Sequence, residues 1–141
     1  MSVHAIFAPV FVLVLLTFFL LLWMGRARIS AVRRREARIP DIALGESNWP
    51  ARAQQASNSF DNQFQLPALF YLIVLIAYLT KLADFIFVIL SWLFVATRFI
   101  HAGIHITSNR VNHRFSIYLI GAVILLIMWV MVAIRLFVFA L

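Results

Sequence analysis

The sequence contains no cysteine and few charged residues. Of its 141 residues, 12% are charged and only five are acidic, whereas 65% are hydrophobic. The missing cysteine excludes disulfides, thiolate metal sites and a cysteine nucleophile in this chain. Because a soluble domain carries roughly 25% charged residues, the shortage of charge excludes an ordinary soluble domain and indicates a membrane protein.

The few charges are mostly positive. Twelve Lys and Arg residues outweigh five Asp and Glu residues and give a net charge of +7, a balance that can indicate nucleic-acid binding. The arginines, however, lie between and beside apolar runs, where basic residues set topology and contact anionic lipid headgroups. We therefore expect the lipid bilayer as partner and no nucleic acid.

Four apolar stretches are long enough to cross a bilayer, because a hydrocarbon core of roughly 30 Å needs about 20 helical residues. The first is an uncharged run over residues 5–24, which we expect to be retained as a span because it lacks the basic n-region and short apolar core of a signal peptide. The predicted helices cover about 3–25, 50–80, 84–107 and 115–139. We predict an all-α fold: a single transmembrane domain over residues 1–141, built as an integral membrane four-helix bundle.

A basic connection over about 26–49 separates the first two predicted helices. It carries six arginines, at positions 26, 28, 33, 34, 35 and 38. The positive-inside rule places this connection in the cytoplasm. We therefore expect both termini on the opposite side of the membrane, which is the periplasmic side for a protein of a bacterial inner membrane.

Several residues are typical of helix boundaries. Ser47 or Asn48 is expected to cap the second helix, with Pro50 in its first turn. Pro67 is expected to kink that helix, and Asp84 is expected to cap the third.

The stretch over residues 92–115 places charge at the end of an apolar helix. Arg98, His101 and His105 are spaced i, i+3, i+7 and therefore share one helical face. A second polar stripe runs along one face of the second predicted helix, and Arg114 lies at the start of the fourth predicted helix. The stripe contains Arg52, Asn58, Asn62 and Gln65. If the helices are adjacent, these groups line a cytoplasmic pocket for an anionic ligand, because guanidinium groups bind carboxylates or phosphates and amides fix orientation.

Each of these residues also has a structural interpretation. Arg110 is typical of a topology signal, and Asn62 and Gln65 are typical of hydrogen bonds between membrane helices. Arg98 differs, because a charge inside an apolar segment needs a partner or a water-filled cavity. His101 and His105 form an HxxxH pair that could bind zinc or iron together with His113, but no carboxylate lies in the cluster and we expect no metal.

Two stretches resemble the MAPEG family, the membrane-associated proteins in eicosanoid and glutathione metabolism. Residues 62–71, NQFQLPALFY, resemble the Asn-x-x-Glu motif of the family's second helix, which is followed by a proline and an apolar run. The pattern from Arg98 through His101, His105 and Arg110 to Arg114 resembles the junction of the family's third and fourth helices. With the length and the four spans, the resemblance covers essentially the whole chain.

The resemblance implies a homotrimer whose sites lie between neighbouring subunits near the cytoplasmic face and bind glutathione. It implies that Arg114 is catalytic, because a guanidinium beside a thiol favours the thiolate. The residues that it assigns to cofactor binding are Arg28, Asn62, Gln65 and Arg98. His101 and His105 are expected to shape the side of the site that receives the second substrate.

The chain also departs from the family pattern in its second helix. Gln65 stands in place of the family's glutamate, Asp61 in place of an arginine found in several members, and Asn58 in place of a further arginine. In the third helix, His105 stands in place of a tyrosine.

Two functions of the protein therefore remain open. One is a glutathione- or thiol-dependent transferase or peroxidase that acts on a lipophilic substrate. The alternative is a non-catalytic accessory or scaffolding subunit of a larger bacterial membrane complex, with a degenerate glutathione site.

Overall fold

A computed structural model describes residues 1–45 and 48–139, and all regular structure in these residues is helical. The helices are α1 (Val3–Arg33), α2 (Ile39–Ile42), α3 (Ala51–Asp61), a 3₁₀ helix (Asn62–Phe64), α4 (Leu66–Leu79), α5 (Phe85–Ile106) and α6 (Val111–Phe137). Four described segments are long and apolar enough to cross a membrane: Val3–Arg33, Ala51–Leu79, Phe85–Ile106 and Val111–Phe137. The predicted all-α bundle with four membrane-length helices is confirmed.

The core lies along α5, which contacts α1, α3 and α6. Leu13, Phe70, Phe94 and Met128 are completely buried there, and the rings of Phe70 and Phe94 stack with centroids 4.8 Å apart. Many other large apolar side chains point outward and are exposed, as Phe11 is. In water such a surface would be unfavourable, so these side chains face the lipid.

The first helix is longer than the sequence predicted. It was expected to end near residue 25, but α1 continues to Arg33 and ends where Arg35 adopts a left-handed conformation with φ of 60°. The amide of Glu36 then donates to the carbonyl of Ala31 at 3.0 Å, which closes the helix end. The extension is stabilised because Ala31 packs in a small second core with Ala53 of α3. The predicted connection over 26–49 therefore begins with two helical turns.

The second predicted helix is broken rather than kinked. α3 ends at Asp61, the 3₁₀ helix follows, and Gln65 has φ of −93° and ψ of −107° before α4 begins. The cause is Pro67, which lies in the first turn of α4. Its ring would clash with the carbonyl of Gln63 in a continuous helix, and it lacks an N–H to donate.

The predicted cap of the second helix is wrong where the structure tests it. The N-cap of α3 is Pro50, which makes no side-chain capping bond. The side-chain amide of Asn48 instead donates to the carbonyl of Asp41 at 2.7 Å. Ser47, the other predicted cap, lies outside the described residues.

Helices α5 and α6 approach closely at Gly121. A methyl group added at this glycine would lie 2.7 Å from the hydroxyl oxygen of Thr97. Thr97 cannot easily turn away, because its hydroxyl donates to the carbonyl of Phe94 at 2.7 Å and β-branched side chains have restricted rotamers. The fit of the two helices therefore depends on glycine at this position.

We expect Gly121→Ala to destabilise the bundle by about 1–3 kcal/mol, the usual cost of overpacking. The midpoint of thermal unfolding in detergent measures this. The double variant Gly121→Ala/Thr97→Ala should recover most of the loss, because it removes the clashing hydroxyl. Gly25→Ala is the control, since its added methyl group meets no atom within 4 Å. Equal midpoints for Gly121→Ala and Gly25→Ala would contradict the packing argument.

The turn between α4 and α5 holds an ion pair at the far end of the bundle. Asp84 caps α5, as predicted, by accepting from the amide of Phe87 at 2.9 Å. Arg135 of α6 lies 2.7 Å from the same carboxylate and donates to the carbonyl of Leu82 at 3.3 Å. Through the hydrogen bond from its guanidinium, Arg135 lowers the pKa of Asp84. The pair ties the C-terminal end of α6 to the α4–α5 turn.

Asp84→Asn should lower stability modestly at neutral pH, since the carboxylate is partly exposed and screened. Asparagine can still accept the capping hydrogen bond, so the change in stability reports the loss of the ion pair alone. Because folding lowers this pKa, the contribution is complete above about pH 4, the ordinary pKa of an Asp carboxyl. The stabilisation by the ion pair is lost as the pH falls below that value, because the carboxyl group becomes protonated. Unfolding midpoints of the two proteins should therefore converge in acid, and a difference that persists there would refute the ion-pair explanation.

Candidate functional site

A group of polar side chains, here called the polar cluster, surrounds the break in the second membrane segment. Its members are Asn62, Gln65, Arg98, His101, His105 and Tyr118. Arg98 is only 1% exposed, and its Nη2 donates to the backbone carbonyl of Asn62 at 3.4 Å. The same carbonyl accepts the amide of Gln65 at 3.4 Å. The break and the buried guanidinium therefore meet at one carbonyl group.

Two histidines of α5 form the next layer of the polar cluster. His101 and His105 are 3% and 2% exposed, and their rings lie edge to face with centroids 5.7 Å apart. The side-chain amide of Asn62 lies 3.5 Å from Nδ1 of His105. The Gln55 side chain donates to the backbone carbonyl of His105. These contacts join the second membrane segment to the C-terminal end of α5.

Helix α6 closes the other side of the polar cluster. The hydroxyl of Tyr118 donates to Oε1 of Gln65 at 3.5 Å. Its ring lies 5.7 Å from the ring of His101 and 5.7 Å from the guanidinium carbon of Arg98. The break, α5 and α6 therefore meet around one tyrosine.

Arg114 lies one helical turn before Tyr118. Its Nη1 donates to Oδ1 of Asn109 at 2.7 Å, and it lies close enough to His101 and His105 to act on both electrostatically. Among the described residues its guanidinium has no carboxylate partner. The positive charge of Arg114 is therefore not neutralised within the described chain.

Arg28 lies apart from the polar cluster. Its Nη2 donates to the hydroxyl of Ser57 at 2.7 Å, and its guanidinium stacks on Trp49 at 4.9 Å from the ring centroid. It therefore contributes to the contact between α1 and α3. Of the seven residues singled out from the sequence, five lie in the polar cluster, Arg114 acts on it electrostatically, and Arg28 does not contact it in this chain.

Sequence reasoning missed two residues of this region. Tyr118 follows Arg114 by four positions, a spacing that puts both on one face of α6 and could have identified it. Gln63 is 2% exposed, and neither polar atom of its side-chain amide has a hydrogen-bond partner among the described residues. Nearby, Nε of Arg98 and Nε2 of His105 are also buried without a partner. Each such group costs about 1–3 kcal/mol when left unpaired, so an additional hydrogen-bonding group in this region would stabilise the protein.

The histidines do not form a three-residue metal site. Residues 1–45 and 48–139 contain no group of three His, Cys, Asp or Glu side chains placed to hold one metal ion. His113, the third ligand considered from the sequence, is exposed on α6, whereas His101 and His105 are buried. The pair alone lacks the third ligand that protein zinc sites require.

Comparison with known proteins gives one match. A sequence model described as the MAPEG family matches residues 6–134, which include parts of all four membrane-length helices and the whole polar cluster. No curated protein and no solved structure matches the chain.

Proposed function

Because the chain belongs to the MAPEG family of membrane proteins in eicosanoid and glutathione metabolism, we propose that it is a glutathione- or thiol-dependent transferase or peroxidase acting on a lipophilic substrate. The observation that carries the proposal is the buried polar cluster beside the uncompensated charge of Arg114, at one end of an otherwise apolar bundle. Polar and ionisable groups within membrane segments are costly and commonly mark a functional site.

The chemistry of the polar cluster fits the anionic part of glutathione. Arg114 has only a neutral amide as its described partner, so a carboxylate or a thiolate would complete its interactions. The amides of Asn62 and Gln65 provide both donors and acceptors for a peptide. Gln65 differs from a glutamate because it offers no charge to an ammonium group, so the binding that we propose depends mainly on the arginines.

Arg98 and Arg28 are given different parts in this proposal. Arg98 is buried and donates to the backbone carbonyl of Asn62, so in this proposal it positions the side-chain amide of Asn62 for the cofactor. Arg28 binds only in the homotrimer that we propose, in which it reaches the site of a neighbouring subunit. The proposed orientation puts this end of the bundle at the cytoplasmic face of a bacterial inner membrane.

Bound glutathione would supply a thiol nucleophile. Arg114 lowers the pKa of such a thiol and so increases the reactive fraction at neutral pH. Tyr118 can donate a hydrogen bond beside it. His101 and His105, buried on the α5 side, form the wall against which a lipophilic substrate from the bilayer would pack.

A second function is favoured by one specific observation. Gln65 is neutral and its Oε1 already accepts from Tyr118, an arrangement that suits a cluster satisfied by protein rather than by glutathione. In that case the chain is an accessory or scaffolding subunit of a larger membrane complex, and a partner subunit or a lipid headgroup occupies the region.

One experiment separates the two functions. The purified protein in lipid nanodiscs is titrated with glutathione by calorimetry and assayed for glutathione consumption with a lipophilic aryl halide and with a lipid hydroperoxide. Binding and turnover that depend on Arg114 support the enzyme. Absence of both, with co-purification of other subunits in mild detergent, supports the accessory function. Light scattering of the same preparation tests the homotrimer.

A further inference from the structure

A cavity lies outside the polar cluster, where the C-terminal part of α1 meets α3 and the end of α5. Its volume is 780 Å³. Three arginines line the cavity. Arg26 lies in α1, Arg34 directly follows α1, and Arg52 lies in α3. The polar cluster lies between the break before α4 and the helices α5 and α6, and none of its six members lines this cavity. The occupant of the cavity is therefore independent of the proposed function.

The cavity is strongly positive. Its lining includes three guanidinium groups and one carboxylate, that of Glu36. Among the described residues, none of these four side chains forms an ion pair; the one described ion pair joins Arg135 and Asp84. Three free guanidinium groups around one cavity favour an anion with several oxygen acceptors, such as a phosphate group.

An apolar cleft of 430 Å³ lies beside the cavity, on the side toward the middle of α1. It runs between α1 and α5, and Gly103 forms part of its wall. Ile106 lines both the cleft and the cavity. The cleft is lined by apolar side chains, so it fits a hydrocarbon chain and not a second polar group.

One face of α1 connects the two spaces. The lining residues on this face recur every three or four positions: Leu16, Leu20, Trp23, Ala27, Ser30 and Arg34. From Leu16 to Arg26 the helix rises about 15 Å, and Trp23 lies between the apolar and the basic ends. Tryptophan at such a boundary is typical of the level where lipid headgroups begin.

We propose that the cavity and the neighbouring cleft together bind one anionic phospholipid, with its phosphate held by Arg26, Arg34 and Arg52 and one acyl chain in the cleft between α1 and α5. The charge of the cavity selects an anionic headgroup, and the cleft selects a molecule with a hydrocarbon chain. A basic surface that only attracts lipids electrostatically would need no such cleft.

The first test removes the charge. Wild-type protein and the triple variant Arg26→Gln/Arg34→Gln/Arg52→Gln are compared for binding of phosphatidylglycerol and phosphatidylcholine by native mass spectrometry. Each arginine near a membrane surface contributes about five-fold in affinity for an anionic lipid, so the triple variant should lose about 100-fold for phosphatidylglycerol. The matched control is Arg33→Gln/Arg35→Gln/Arg38→Gln, which removes equal charge from positions that are exposed like Arg26, Arg34 and Arg52 but do not line the cavity. Equal losses in both triple variants would overturn the proposal.

The second test fills the cleft without changing charge. A Cβ atom added at Gly103 meets no other atom within 4 Å, and the cleft beside it has room for a larger side chain, so Gly103→Leu should fold and should reduce retained phosphatidylglycerol at least ten-fold. Gly25→Leu is the control, because it also enters open space on a helix but lies outside the lining of both spaces. Undiminished lipid in Gly103→Leu, or equal protection from thermal unfolding by inorganic phosphate and by phosphatidylglycerol, would overturn the lipid assignment. If the triple arginine variant fails to fold, Gly103→Leu alone tests whether a lipid occupies the cleft.

Discussion

Replacement of Arg114 by alanine is expected to lower the rate of glutathione consumption at pH 7 by about 100-fold or more. Removal of one preorganised group that stabilises a developing negative charge usually costs 10²–10³ in rate. Arg114 is in the position to act in this way, because it is half-buried and its described partner is the neutral side chain of Asn109. The measurement is glutathione consumption with a lipophilic electrophile in nanodiscs.

The pH dependence identifies the reason for the loss. An ordinary thiol has a pKa of about 8.5, so without the guanidinium the rate should rise toward that pH, whereas the wild type should reach its plateau at lower pH. Arg114→Lys restores a positive charge and should recover part of the rate. Arg110→Ala is the matched control, since Arg110 precedes α6 by one residue and is exposed. A loss of rate with an unchanged pH profile would contradict thiolate stabilisation and would favour a purely structural role.

Replacement of Arg98 by methionine is expected to stabilise the protein by about 1–4 kcal/mol while it weakens the site. The guanidinium is 1% exposed, its only described hydrogen bond is 3.4 Å long, and its Nε has no partner. Contact with the face of Tyr118 at 5.7 Å compensates the charge only in part. Replacement of an under-compensated buried charge by an apolar side chain of similar size is often stabilising by this amount.

Two further variants distinguish charge from volume at this position. Arg98→Lys keeps the charge and should be no more stable than the wild type. Arg98→Ala removes the charge but leaves a cavity, which costs about 2–5 kcal/mol for a large side chain, so it should be less stable than Arg98→Met. Unfolding midpoints in mixed micelles give the order of the three. If Arg98→Met unfolds below the wild type, the guanidinium has a strong partner, and a neighbouring subunit would be the place to seek it.

The fold was largely predictable because membrane spans are set by long apolar runs. Length and hydropathy are enough to find four helices, and Asp84 was recognisable as a cap because a short acidic side chain precedes an apolar run. The end of α1 was predicted eight residues too early. Hydropathy marks where the membrane stops, whereas the helix continues through Arg33 because Ala31 packs on α3. That packing is a tertiary effect, which a local pattern does not contain.

The site residues that share one helix were predictable from the sequence. The site residues that come together from different helices were harder to predict. The i, i+3, i+7 spacing brought Arg98, His101 and His105 to one face, and the structure places all three in the polar cluster. Gln63 was missed because its burial follows from the break before α4, and the periodicity of a continuous helix assigns it to another face. Arg28 matched a motif, but within this chain it donates to Ser57, because a motif records residue types and spacing and not the tertiary contacts of each residue.

The break at Gln65 sets the depth at which chemistry would take place. α4 has 14 residues and is therefore about 21 Å long, shorter than a hydrocarbon core of roughly 30 Å. With the α4–α5 turn at the level of the opposite headgroups, the polar cluster would lie several ångströms beneath the headgroups on its own side, on a level with acyl chains. A lipophilic substrate would reach it by lateral diffusion within the leaflet, so the concentration that governs its rate is the mole fraction of substrate in the bilayer. Saturation curves should then superimpose when plotted against substrate per lipid, and separate when plotted against total substrate in the assay.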